Sequence, residues 1–428
     1  MPLPHSRHLY RSLPVTNGPD QCTVNFSASF AVFERVPVQS GYVVIPNVRT
    51  SPPTWLALVC AITLPALLGG CFGAPQAPLS TSAGTMAAQA AGARVAPVFV
   101  ASTRRENTGT ISESAADGGA HYAISMVSVP PAHKAGEIEE PTFGKANPEK
   151  HFAVLGGHGL EPEDFRLQIA TYLSGRIGSN RDILLYVHGF NTSENEARFR
   201  LAQLVYDGGF GGVAVLFTWP SKSDLFSYVS DKESATASRD ALQKLMRDLA
   251  QVEGVGRVHV LAHSMGSWLA MEALRENAIA GSRNLGNRLG DVMLASPDID
   301  LSVFKTQMSR LPGANVSVFV SANDRALNLS SKLAGARPRV GAMDARNAKQ
   351  REELAQLGVK VYDLTGSSSG FIGHSLYGDV PAVVRTIGAQ LGMAREDAGV
   401  TAMIDATSRM PAEVNVAPAQ TPTLSPMN

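Results

Sequence analysis

Ser264, Asp324 and His374 are residues whose types and order could perform nucleophilic chemistry on a carbonyl carbon. A serine hydroxyl is a weak nucleophile at neutral pH, so it needs a base to take its proton and donors to hold the oxyanion that forms. Ser264 lies in VHVLAHSMGSWLAMEAL (258–274). There Val258, Val260 and Leu261 give way at the serine to Trp268, Leu269, Met271 and Leu274 at helical spacing, which predicts strand, corner and helix in succession. Ala262 and Gly266, two positions either side, are small enough to let strand and helix backbones close on the serine. The pattern is that of a nucleophile elbow, smxSxG, with His263 as a supporting residue. A bare SxG at such a junction also suits a helix cap, so the reading depends on partners elsewhere.

The base is expected at His374, in FIGHSLYG after the last predicted strand, where a loop can carry an imidazole over the end of a sheet. A carboxylate must then fix the tautomer of that imidazole. Asp324, in VSANDRAL, is the first choice; Asp298, in ASPDID, is the alternative, Asp300 stands behind both, and Asp363 reads as structural. Oxyanion donors are expected from the backbone N–H of Met265, at the positive end of the helix, and of Phe190 in the HGF turn. Gly189 and His188 support that turn, the histidine either as a brace or by packing.

The elements that must position these groups alternate along the chain. Strands are predicted at 95–100, 121–129 and 151–155, with a helix at 162–173, as an early and partly antiparallel edge. The unbroken apolar run 183–187 reads as a central strand covered on both faces, followed by a helix opened by a Ser193/Glu196 capping box. A strand at 213–217 and a helix over 232–250 precede the elbow; strands at 292–295, 316–320 and 359–362 and helices at 346–357 and 379–391 follow it. Repeated strand then helix calls for an α/β class with a mostly parallel sheet and helices on both faces.

The 37 basic and 37 acidic residues balance, which removes any global electrostatic reason to expect nucleic acid as a partner. Cys22, Cys60 and Cys71 are the only cysteines, so a disulfide framework or a cysteine-rich metal site is excluded from the predicted domain. With no phosphate-binding glycine loop either, no metal and no cofactor is expected.

Ahead of that domain, 55–70 (WLALVCAITLPALLGG) is apolar and free of charge, shorter than the about 20 residues a spanning helix needs, and interrupted by Pro65. It predicts a signal peptide over 49–71 ending at Leu68-Gly69-Gly70-Cys71, which resembles a bacterial lipobox with Cys71 as the lipidated residue. That implies a membrane partner through a lipid anchor in the bacterial cell envelope; secretion, or anchoring by an uncleaved segment, is the alternative. Residues 1–48 read as an N-terminal extension with no recognisable domain; one hypothesis is a start near Val43 or Val44, which would leave the residues before it untranslated. Residues 72–93 read as a flexible tether, 94–393 as the domain, and the proline-bearing tail 394–428 as disordered.

The segments ILLYVHGFN, VLFTWPS, the elbow, VMLASPDID, SANDRAL and GHS resemble an uncharacterised bacterial α/β-hydrolase family of the esterase/lipase superfamily, and VAPVFVASTRR and ISMVSVPPAHKAGEIEEP are similar to its leading portion. The resemblance covers about 95–393 and implies an α/β-hydrolase fold with chain order Ser, acid, His. Ala262 departs from the more usual glycine of GxSxG and makes for a tighter elbow. The expected function is serine hydrolysis of an acyl ester, small-molecule or lipid, through a Ser264 acyl-enzyme. Acyl transfer by the same residues and a non-catalytic tethered scaffold are the alternatives. Neither the substrate nor the oligomeric state follows from the sequence.

Overall fold

The computed structural model describes residues 81–104, 119–222, 227–367, 374–391 and 413–414, all within the unit Phe72–Asn428. The expectations for 1–48, for the signal peptide and Cys71, and for the tail apart from 413–414 lie outside the described residues. Among the described residues no helix is long and apolar enough to cross a membrane.

In chain order the elements are α1 (Thr81–Ala90), β1 (Arg94–Ser102), β2 (His121–Val129), β3 (Ala153–Leu160), α2 (Pro162–Leu173), β4 (Ile183–Val187), α3 (Glu194–Gly208), β5 (Val213–Thr218), α4 (Tyr228–Ala237) and α5 (Arg239–Ala250). There follow β6 (Val258–His263), α6 (Met265–Ile279), β7 (Leu289–Ala295), α7 (Leu301–Met308), β8 (Val316–Val320), α8 (Arg325–Leu333), α9 (Ala348–Ala355), β9 (Lys360–Asp363), α10 (Leu376–Asp379), α11 (Pro381–Gln390) and β10 (Glu413–Val414). They build one sheet of order β10-β9-β8-β7-β6-β4-β5-β1-β2-β3. The strands from β9 through to β1 run parallel, β2 and β3 pair antiparallel at one edge, and the short β10 pairs antiparallel at the other. This is the α/β-hydrolase fold, with the expected antiparallel N-terminal edge.

Side-chain alternation divides the apolar residues between the two faces. Ile183, Leu185 and Val187 of β4 join one core with α2, α5 and α6, while Leu184 and Tyr186 join a second with α3 and α11. Residues i and i+2 of a strand share a face, so an unbroken apolar run is what a strand between two helical layers requires. Each aliphatic side chain buried in this way stabilises the fold by roughly 1.5–3 kcal/mol. The helix α3 starts as its sequence predicts: Ser193 Oγ accepts from Glu196 N–H, and the Glu196 carboxylate accepts from Ser193 N–H.

Two stretches differ from expectation. The helix expected over 232–250 is two helices that meet at Ser238, whose hydroxyl donates to Ser234 O (2.8 Å) and lies 2.8 Å from Thr103 Oγ1. That side chain ties the junction to the loop after β1, a contact no local periodicity carries. In the expected tether over 72–93, Thr81–Ala90 is helical, and Ala88 is buried in a small cluster with Ala93, Ala153 and Leu155. Alanine is the best helix former and packs close against a sheet edge, so a stretch poor in large apolar residues still makes an element.

Candidate active site

Because β4 to β9 run parallel, the residues that follow them emerge along one edge of the sheet, where α/β folds bind ligands. His188 follows β4, Ser264 follows β6, and Asp298 and Asp324 lie just beyond β7 and β8. Ser264 occupies the corner between β6 and α6 with φ 53° and ψ −122°. A β-carbon makes such a conformation costly, of order 1–3 kcal/mol, and the surroundings hold it there. Ser264 N–H donates to Ala295 O (2.9 Å), and Ser264 O accepts from Ser267 N–H (3.0 Å) and Asp298 N–H (3.1 Å). Gly266 lies so near the carbonyls of Val187 and His188 that a β-carbon would collide with both. Ala262 is fully buried, and its carbonyl accepts from Ser267 Oγ (2.8 Å).

His374 Nδ1–H donates to Asp324 Oδ2 at 2.7 Å. The other oxygen, Oδ1, accepts from Leu327 N–H at 3.0 Å and caps α8, so the carboxylate is fixed at both ends and wholly buried. Asp298 has different partners. Its carboxylate takes hydrogen bonds from Ser330 Oγ (2.6 Å) and Tyr228 Oη (2.8 Å) and lies 3.1 Å from Arg339 Nε. Asp300 caps α7 through Ser302 and Val303 N–H, and Asp363 accepts from Thr365 N–H (2.9 Å). Of the acids considered from sequence, Asp324 is the one that meets the His374 imidazole. Among the described residues no hydrogen bond joins Ser264 Oγ to His374.

The HGF turn lies against the elbow. A β-carbon on Gly189 would stand 2.8 Å from His263 Nδ1 and 3.0 Å from Ser264 Cβ, so only a glycine lets the turn approach this closely. Phe190 follows it, its ring edge-on to Tyr228 at 5.5 Å. Met265 is the first residue of α6, where N–H groups have no intrahelical acceptor. The Phe190 and Met265 amides thus belong to two backbones that meet at Ser264.

His188 is fully buried and stacked on Trp219 at 5.2 Å. Its Nδ1–H donates to Gly189 O (2.8 Å), and Nε2 accepts from Trp219 N–H (3.2 Å). Burial, with the Arg104 guanidinium adding to it, pushes its pKa down to about 3. The neutral ring is thus held between the Gly189 carbonyl at Nδ1 and, at Nε2, the Trp219 amide with Thr218 Oγ1 3.0 Å away. His263 is likewise kept neutral, well below the usual imidazole range, by burial and then by His374. Its Nε2–H donates to His374 O (3.1 Å), and its ring packs 4.6 Å from that of Tyr377.

Sequence reading missed several residues here. Arg104, two positions beyond β1, donates to Thr218 Oγ1 (2.8 Å), Thr192 O (2.9 Å) and Ser221 O (3.2 Å), tying together the loops after β1, β4 and β5. Burial lowers its pKa to about 10, which leaves it charged at neutral pH. Its place at the carboxyl end of a strand was the available signal. Tyr228 Oη donates to Asp298 Oδ2 (2.8 Å), and burial and the neighbouring Asp298 raise its pKa. Among the described residues no group of three or more His, Cys, Asp or Glu is arranged to hold a metal ion.

Residues 165–395 match the model of a family described as alpha/beta hydrolase of unknown function (DUF900). The chain belongs to this family. The family match begins at Phe165, so β1–β3 and Arg104 lie ahead of it, while every residue from His188 to His374 falls inside. No curated protein matches the chain. Similar solved structures include a CIB-like hydrolase from Thermoplasma acidophilum, 14% identical over 50% of this chain and 88% of that one, with a TM-score of 0.29. An esterase of Pyrobaculum calidifontis is 13% identical over 72% and 89%, TM-score 0.31. An esterase from Rhizomucor miehei is 11% identical over 81% and 97%, TM-score 0.34. At such distances these likenesses carry no argument about activity, and the fold rests on the strand order of this family member itself.

Proposed function

We propose that this family member is a serine hydrolase acting on carboxylic esters, with Ser264 as nucleophile, His374 as general base, Asp324 as the acid that orients it, and the Phe190 and Met265 amides as oxyanion donors. The observation that carries the reading is the 2.7 Å bond from His374 Nδ1–H to a buried Asp324 carboxylate, on the sheet edge that also bears Ser264 in a strained corner. With Nδ1 engaged, the tautomer leaves Nε2 free to take a proton. His374 removes the hydroxyl proton as Ser264 Oγ attacks the ester carbonyl. The tetrahedral oxyanion is held by the two amides until the alcohol leaves, protonated by His374. Water, activated by the same imidazole, then releases the acid. Hydrogen bonds between nucleophile and base often tighten only when substrate binds, so a bond that forms only in the complex suits this cycle.

The test is covalent labelling with a fluorophosphonate, followed by turnover of chromogenic esters of graded acyl length. Labelling that maps to Ser264 and disappears in Ser264→Ala, with the corresponding loss of ester turnover, is the expected result. Folded protein that neither labels nor turns over any ester would overturn the proposal.

A further inference from the structure

The His374 ring has its acid on one side, and the backbone that carries it is held from the other side by α3. Two residues beyond His374 the chain enters the single turn α10, closed by Gly378 N–H and Asp379 N–H donating to Ser375 O. Three residues of α3, at i, i+3 and i+7 and so on one face, meet this turn directly or through one another. Arg200 Nη2 donates to Asp379 Oδ1 (2.7 Å), and Arg200 Nη1 donates to Gln203 Oε1 (3.1 Å). Gln203, fully buried, donates through Nε2 to Gly378 O (3.2 Å) and to Asp207 Oδ2 (2.5 Å). Asp207 also accepts from Gly136 N–H (2.8 Å), and a β-carbon on Gly136 would collide with Asp379 O. The turn is therefore enclosed between α3 and the segment after β2.

The fit is close. Arg200 lies across Gly378, where a β-carbon would meet the guanidinium, and over the Tyr377 ring at 5.9 Å. Tyr377 Oη is in turn 2.7 Å from Tyr186 Oη of β4. A buried amide and a nearly buried guanidinium are costly unless hydrogen-bonded, and here both are bonded to the segment that carries His374.

We propose that Arg200 and Gln203 are positioning residues for His374: by fixing Asp379 and the Gly378 carbonyl they keep the imidazole seated on Asp324 beside the Ser264 corner. This rests on the reading of Ser264 as nucleophile and His374 as base. Arg200 supplies a fork that reaches Gln203 and Asp379 together, which the single ammonium of a lysine does not reproduce. Neither side chain touches the reacting atoms; both act through the backbone of α10.

The experiment uses the full chain with Arg200→Lys, Gln203→Leu and Asp379→Asn, each checked for cooperative melting. The readouts are the rate of fluorophosphonate labelling at Ser264 and kcat and KM on a chromogenic ester. Displacing a reacting group by an ångström can lower the rate about 10²-fold, so kcat and the labelling rate are expected to fall by about that factor while KM stays within about threefold. In a His374→Ala background the same substitutions are expected to change the labelling rate by less than about twofold, because they act through the residue already removed. Folded variants with wild-type rates, or an equal loss in both backgrounds, would overturn the proposal. If Arg200→Lys fails to fold, Asp379→Asn, which keeps the shape of a partly exposed side chain, decides by the same two comparisons. A wild-type protein not labelled at Ser264 would instead sink the hydrolase reading itself.

Discussion

Asp298 and Arg339 form a buried ion pair directly behind the Ser264 corner: Oδ1 and Nε are 3.1 Å apart, each side chain is 3% exposed, and the Asp298 N–H holds the Ser264 carbonyl. The contact is one of charge, since Arg339 Nε makes no hydrogen bond. This pair separates two acids that sequence alone leaves as rivals. Asp298→Asn leaves an uncompensated buried guanidinium and is expected to destabilise the protein by about 3–5 kcal/mol. Its kcat per folded molecule is expected to stay within about tenfold of wild type, because the carboxylate does not meet His374. Asp324→Asn is expected to do the reverse. Asparagine caps α8 as well as aspartate does, so the melting temperature changes little, while loss of the tautomer-fixing charge lowers kcat by about 10⁴-fold. Denaturant melts and steady-state kinetics on both variants check the exchange of effects.

Gly189→Ala tests the close approach of the HGF turn to the elbow. The added methyl meets Ser264 Cβ at 3.0 Å and His263 Nδ1 at 2.8 Å, so the turn must withdraw and carry the Phe190 amide with it. The loss of one oxyanion donor predicts a fall in kcat of about 10²–10³-fold. Gly209→Ala is the contrast: Gly209 closes α3 at φ 70° with open space around it. That change is expected to cost roughly 1–2 kcal/mol of stability and no activity per folded molecule.

The fold was legible because its signals are local. The two-faced burial of 183–187, the Ser193/Glu196 box and the change of period at Ser264 each occupy a few consecutive residues, and the structure repeats them. The sheet that follows from them brings Asp324 and His374, 50 positions apart, into contact. What was not legible depends on partners distant in sequence. Arg104 reaches Thr218 across 114 positions, and Arg200 reaches Asp379 across 179, with no periodicity linking either pair. The one-turn α10 and the two-turn α7 are too short for periodicity to declare them. The division of 232–250 at Ser238 likewise answers to Thr103, which lies 135 positions away.

The lipobox-like Leu68-Gly69-Gly70-Cys71 ahead of the domain makes a prediction that does not depend on the site. Covalent lipidation adds membrane affinity of about 0.8 kcal/mol per buried CH₂, so an acylated Cys71 is the anchor whose loss the experiment reads. We expect Cys71→Ser to abolish incorporation of labelled fatty acid and to move the protein from the membrane to the soluble fraction. Metabolic labelling followed by fractionation checks both, and labelling that persists in Cys71→Ser would sink the proposed anchor.

His133 makes stability depend on pH in a direction the geometry fixes. Its Nδ1 is 2.8 Å from Glu139 Oε2 and its Nε2 is 3.0 Å from Asp207 Oδ1, so both nitrogens face carboxylates and both bonds need a proton. Burial lowers its pKa, but the hydrogen bonds to Asp207 and Glu139 outweigh that and raise it above the usual imidazole value. A group whose pKa is raised on folding contributes stability that is complete below its unfolded pKa, about 6.5, and is lost as pH rises through the folded value. The His133→Gln variant lacks this contribution at every pH. The difference in melting temperature between wild type and His133→Gln is therefore expected to be largest near pH 5.5 and to shrink steadily towards pH 8.5. The same comparison cancels the buried His188 and His263, whose lowered pKa values act in the opposite sense in both proteins. A gap that is constant or widens with pH would mean that the His133 ring is held neutral between its two carboxylates.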